Sequence, residues 1–210
     1  GALGLAAGLE LSKAKHQVSI YERAPFLGGQ ASTFDVGGRR LERGYHHLFT
    51  SDRDMLSLIH EIGLGDQMRW VDSKVGLFHG NKIYNFVTPM DLLRFTAIPL
   101  LDRIRLGLVT LYLRRYKNWR NLEEHTASEW IRKYAGENVY NVVWGPLLRG
   151  KFGEYYDKVC MSWLWGKFQT RFASREKGIG KEKLGYPMCS FGEVFEETAR
   201  QFGSFYLDAV

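Results

Sequence analysis

The sequence predicts an α/β fold: a nucleotide-binding domain into which a largely helical second domain is inserted. Three observations carry this. Residues 1–22 read as a glycine-led helix followed by a short β-branched strand, the second half of a β-α-β start. Helical periodicity then dominates from 88 to 173. Finally, from 186 onward a capped helix and a strand return to the α/β pattern.

The elements follow in order. Leu3, Leu5, Leu9 and Leu11, mixed with Ala6, Ala7 and Gly8, form the body of a helix over 1–15, and Gln17–Tyr21 forms a strand ending at Glu22. Pro25, Gly28, Gly29, Gly37 and Gly38 make 23–37 a loop with short strands. A helix is expected from about Asp52 to Ile62, with Ser51 and Asp54 as its capping box and Gly63 as its stop. Arg69–Phe86 alternates and turns at His79-Gly80-Asn81, a hairpin. Thr88-Pro89-Met90-Asp91 opens a helix with proline in its first turn, 99–116 is another, and Thr126 with Glu129 opens a fourth. Helical spacing continues through 137–150 and 158–173. Ser190 with Glu193 caps a helix running to about Phe202, Gly203 stops it, and Phe205–Val210 reads as a strand. The expected domains are 1–87, a nucleotide-binding part; 88–185, mainly helical; and 186–210, a return to the first.

Composition narrows the function classes. With 45% hydrophobic and 25% charged residues the chain is of ordinary globular type, and 13 Phe, 11 Tyr and 6 Trp are enough to build a core or line a pocket for a large apolar or planar ligand. Cys160 and Cys189 have neither disulfide-framework nor zinc spacing. The net charge of +6 is compatible with a phosphate-bearing ligand, an anionic membrane or nucleic acid, but no nucleic-acid motif accompanies it, so no nucleic-acid partner is expected. No run is long and apolar enough to span a bilayer, and the expected location is cytoplasmic with peripheral membrane contact as an option.

The chemistry-bearing motif lies at the start. Gly1-Ala2-Leu3-Gly4 has the spacing of the last two glycines of G-x-G-x-x-G; the first glycine and its strand are expected before residue 1, so the chain reads as a fragment cut at both ends. Glycine there lets backbone approach a diphosphate and lets the next helix pack closely, while the helix N-terminus supplies free N–H groups. Glu22 closes the following strand, where an acid accepts hydrogen bonds from an adenosine ribose and disfavours a 2′-phosphate. Together these features make the first domain Rossmann-like, with its first strand missing.

The segment Glu22-Arg23-Ala-Pro-Phe-Leu-Gly28-Gly29-Gln30-Ala31-Ser32-Thr33 resembles the second motif of the superfamily of FAD-dependent amine oxidases, phytoene desaturases and protoporphyrinogen oxidases. The resemblance continues through Gly44-Tyr45-His46-His47-Leu-Phe49, which family members place beside the isoalloxazine ring, and more loosely at 144–153 and at Leu184-Gly-Tyr-Pro187. It implies an FAD oxidoreductase, an oxidase or desaturase acting on a C–H bond of a hydrophobic or amine-type substrate, with 1–87 as FAD-binding domain and 88–185 as substrate domain. The implied cofactor contacts are Gly1, Gly4, Glu22, Arg23, Gly28, Gly29, Gln30, Gly44, Tyr45, His46 and His47. Gln30 departs from the family's arginine, and the motif that closes over the flavin is absent from this chain. No catalytic residue can be named. The alternatives are a non-catalytic flavin-binding or membrane-docking relative and a redox-neutral mutase of the UDP-galactopyranose mutase kind.

Two other features carry weight. His46-His47 is a poor metal pair, because adjacent residues rarely converge on one ion and no carboxylate or cysteine cluster lies near in sequence. The helix at 99–116 gathers Leu100, Leu101, Ile104, Leu108 and Leu111 on one face and Arg103, Gly107, Thr110 and Arg114 opposite, with Arg94, Arg105, Arg115, Lys117 and Arg120 nearby and Asp102 the only acid from 92 to 122. Such a basic amphipathic stretch, 94–120, is a candidate for contact with an anionic membrane. Arg149 and Lys151 are candidates for contact with an anionic substrate or the flavin, or for a solvated loop.

Overall fold

The computed structural model describes residues 1–175, 182–201 and 204–208. The helices are α1 Ala2–Lys13, α2 Arg53–Glu61, α3 Pro89–Arg94, α4 Leu100–Arg115, α5 Ala127–Tyr134, α6 Glu137–Val139, α7 Gly145–Phe152, α8 Met161–Ala173 and α9 Phe191–Arg200. The strands are β1 Ser19–Tyr21, β2 Thr33–Val36, β3 Arg39–Glu42, β4 Leu48–Phe49, β5 Met68–Asp72, β6 Gly76–His79, β7 Lys82–Asn85, β8 Lys183–Pro187 and β9 Ser204–Tyr206. The chain forms two compact units, Gly1–Val71 with Leu184–Val210, and Asp72–Lys183.

In the first unit, β1 pairs in parallel with β9, Tyr21 opposite Tyr206, and the Glu22 N–H extends the pairing by donating to the Tyr206 carbonyl at 2.9 Å. A second sheet has the order β4-β8-β5, and β2 and β3 form an antiparallel ribbon. The core joins Leu5 and Leu9 of α1, Ile59 of α2 and Phe191, Val194, Phe195 and Ala199 of α9. Helix α2 starts differently from the expectation. Its N-cap is Asp52 without a side-chain cap bond, and Ser51 and Asp54 form no capping box. The Asp52 carboxylate instead reaches back to the Phe49 N–H at 2.8 Å, closing the turn that leaves β4. Gly63, at φ +82°, ends the helix as expected. At α9 the Ser190 hydroxyl accepts the Glu193 N–H. The expected stop at Gly203 lies outside the described residues, as do Phe202, Ala209 and Val210.

The second unit is helical with one hairpin. β6 and β7 turn at Gly80-Asn81, both at positive φ, as a two-residue turn requires to match strand twist. The sequence placed this hairpin before a boundary at 87; it belongs to the second unit because Leu77 and Tyr84 pack on the helical core. The early part of the alternating stretch, β5, joins a separate sheet. Capping boxes at Thr88/Asp91 and Thr126/Glu129 start α3 and α5 as expected. The core is heavily aromatic: Phe95, Trp130 and Tyr140 are buried with Leu106, Leu113, Ile131 and Leu148.

Helix α4 buries Leu106 and Leu113, and its C-terminal carbonyls are satisfied by α8, where Gln169 Nε2 donates to Leu113 O at 2.7 Å. Arg103 of the expected polar stripe is tied to the carbonyls of Ile98 and Leu93. The five leucine and isoleucine side chains of the opposite face are exposed. Among the described residues no helix is long and apolar enough to cross a membrane.

Candidate functional site

The predicted ligand residues of the first unit fall into two groups. The first gathers around the start of α1. Its N-cap is Gly1, with no side-chain cap, so the first-turn N–H groups remain available to an anion. The Gly28-Gly29 loop folds against this end: a Cβ placed on Gly29 would meet Gly1 Cα at 3.3 Å. Gly28 and Gly29 sit at φ +101° and +60°, a region that disfavours any side chain. Gly28 has a second reason to be glycine, since a Cβ there would lie 2.5 Å from Phe195 Cδ2.

Glu22 completes this group. Standing just past the carboxyl end of β1, it accepts the Ala24 N–H at 3.1 Å and lies 3.3 Å from the Gly1 nitrogen. The Ala24 hydrogen bond holds its carboxyl below the ordinary range, so it is a carboxylate at neutral pH. A carboxylate at the carboxyl end of a parallel strand, next to a helix N-terminus, is the position from which dinucleotide ribose is held. Arg23, next in the chain, and Gln30 are exposed. Gly4 is different: a Cβ there would meet nothing within 4 Å, so the close packing expected of that glycine has no counterpart among the described residues.

The second group is aromatic. The His47 ring lies 5.0 Å from Tyr45, 4.9 Å from Phe49 and 6.3 Å from Tyr186. The Tyr45 and Tyr186 hydroxyls are 2.8 Å apart. Burial, and then the Tyr45 hydroxyl, push the Tyr186 pKa up to about 12, so the Tyr186 hydroxyl stays neutral. His46 belongs elsewhere: its Nδ1 lies 2.6 Å from the Gly44 carbonyl and its ring faces Phe191 at 6.2 Å. The two histidines therefore pack against different neighbours. Arg149 and Lys151 sit on α7 of the second unit, Arg149 over the Tyr156 ring, and not in a loop.

Three participants were missed in the sequence: the Ala24 amide, Phe195 and Tyr186. Tyr186 carried a signal, standing in the Leu184-Gly-Tyr-Pro187 segment. Phe195 carried none, since nothing local connects it with Gly28.

A helix N-terminus, a strand-closing acid and a glycine pair gathered on an α/β frame are the arrangement of a dinucleotide-binding fold. The family of flavin-containing amine oxidoreductases matches residues 4–176, and the chain belongs to that family; its cofactor is FAD. Among relatives, a zeta-carotene desaturase of Synechocystis sp. is 31% identical over 227 residues, covering 97% of this chain and 46% of the desaturase. Two solved structures share the fold. Putrescine oxidase (the A394C mutant) has a TM-score of 0.66 at 14% identity, covering 97% of this chain and 48% of that one. Reduced UDP-galactopyranose mutase has a TM-score of 0.66 at 14% identity, covering 97% and 46%. The chain thus spans less than half the length of these proteins.

Proposed function

We propose that this chain holds the ADP-binding half of the FAD site, and part of the substrate domain, of a desaturase acting on an apolar, polyene-type substrate. One observation carries the cofactor assignment: the α1 N-terminus, Glu22 and Gly28-Gly29, separated in sequence, meet at one end of β1. In this reading the α1 N–H groups and the Gly28-Gly29 backbone hold the diphosphate, and Glu22 accepts the ribose hydroxyls. Tyr45, His47, Phe49 and Tyr186 form an aromatic wall with two hydroxyls hydrogen-bonded to each other, suited to a planar ring and to excluding water. Bound FAD supplies the acceptor for the hydride equivalent released when a substrate C–H bond breaks. The polyene substrate is favoured over an amine because the likeness to a carotene desaturase runs through nearly the whole chain at 31% identity, whereas the likeness to putrescine oxidase is one of fold.

The test is anaerobic titration of full-length, FAD-loaded protein with a carotene and, separately, with a diamine. Loss of the oxidised-flavin band with carotene, and formation of a further conjugated double bond, is the expected result. Bleaching by the diamine alone would overturn the substrate assignment. A redox-neutral mutase is the second reading, because the mutase fold matches as well as the oxidase fold; turnover of a sugar nucleotide without any electron acceptor would establish it.

A further inference from the structure

Helix α4 has two apolar sides, and the second unit uses only one. Leu106 and Leu113 are buried in the core, while Leu100, Leu101, Ile104, Leu108 and Leu111 face outward, Leu101 at 79% exposure and Leu108 at 63%. The inward attachment is strong. Arg103 donates to the carbonyls of Ile98 and Leu93, Arg105 donates to those of Tyr134 and Lys133, and Gln169 closes the helix end. The outward leucines are thus held in place by a helix whose other side is pinned. Single exposed leucines are ordinary, but a contiguous row on one rigid helix marks a surface that meets something apolar.

The charges around this row indicate what it meets. Arg94, Arg115, Lys117 and Arg120 are exposed, and Arg115 stands one turn beyond Leu111 on the same side. The one acid of the stretch, Asp102, has its carboxylate occupied by the Asn138 amide at 2.8 Å. Exposed Tyr112 and half-buried Tyr116 and Trp119 add side chains that sit well between water and hydrocarbon. An open groove of about 580 Å3 adjoins the row, sharing Leu108 and Tyr112 and continuing over Tyr116, Trp130 and Tyr134, a lining suited to an acyl chain.

We propose that the outward face of α4 docks the protein on an anionic lipid bilayer, the leucines entering the interface and the basic fringe meeting the headgroups. An apolar row bordered by cations suits a lipid surface, whose headgroups are anionic and whose interior is hydrocarbon. The proposal rests on the second unit alone and stands whether or not the substrate assignment is right.

The experiment is co-sedimentation of the full-length protein with phosphatidylcholine vesicles with and without phosphatidylglycerol. Each basic residue near an anionic surface contributes about fivefold in partitioning, so wild type should favour the anionic vesicles by at least about tenfold. L101E/L108E should lose about tenfold or more on anionic vesicles, with flavin spectrum and melting temperature unchanged. R115E/K117E should lose about tenfold at low salt, and the difference should vanish at high salt. Binding of L101E/L108E equal to wild type would overturn the proposal. So would loss of flavin or a lowered melting temperature in that variant, which would mean that the remainder of the polypeptide covers the face. A changed molecular mass in solution would likewise overturn it, in favour of a second copy.

Discussion

In the first unit the positions that shape the candidate ligand site are glycines, two of them at positive φ, and the core is a layer of Leu5, Leu9, Leu48, Ile59, Ile62 and four residues of α9. In the second unit the defining positions are large: Phe95, Trp130 and Tyr140 are buried among aliphatic side chains from several helices. The first unit leaves backbone bare where a cofactor can approach; the second fills its interior with its own side chains. Stability and ligand binding should therefore be coupled in the first unit through Phe195, which packs directly under Gly28, and uncoupled at the core of the second.

The strongest test of that coupling is Phe195→Ala in full-length protein. It removes a buried ring, costing about 3–5 kcal/mol, and also removes what supports the Gly28-Gly29 loop. Urea unfolding should show the loss, and FAD titration should show weaker binding. The counterpart is Leu113→Ala, fully buried in the second unit, which should cost about 2–5 kcal/mol in the same unfolding measurement. Its FAD affinity should remain within about twofold of wild type once folded; a parallel loss of affinity would mean that the two units act as one, and the comparison would fail.

Smaller effects sharpen the picture within the first unit. Glu22→Gln keeps the shape and weakens the acceptor; hydrogen bonds to a charged group contribute about 1.5–3 kcal/mol, so FAD affinity should fall about tenfold or more by titration, with the melting temperature of the FAD-free protein little changed. The smallest effect is that of pH. The Glu22 carboxyl is depressed by the Ala24 hydrogen bond, so its contribution is present above the ordinary carboxyl range and lost only as pH falls through the lower folded value. FAD affinity should change by less than about twofold between pH 8 and about pH 5. A marked loss in that interval would show that Glu22 carries a raised pKa and is not held as the structure has it.

What the sequence by itself determined about this protein is mostly local. The capping boxes at Thr88 and Thr126, the cap at Ser190, the Gly63 stop, the Gly80-Asn81 turn and the positive-φ pair Gly28-Gly29 all depend on hydrogen bonds or dihedral angles within a few residues. The glycine, acid and glycine-pair motifs were legible for the same reason. Where two local solutions competed, the sequence was not enough: at Asp52 the carboxylate turned back to the Phe49 amide and the expected Ser51/Asp54 box did not form. Only the tertiary structure decided which side of α4 is buried, that Phe195 lies beneath Gly28, that Tyr186 meets Tyr45, and that the β6–β7 hairpin belongs with the helices. Each of these is a choice among apolar or polar surfaces far apart in the chain. Hydrophobic burial has no direction of its own, so a helix with two apolar sides reveals its inner one only when its neighbours are in place.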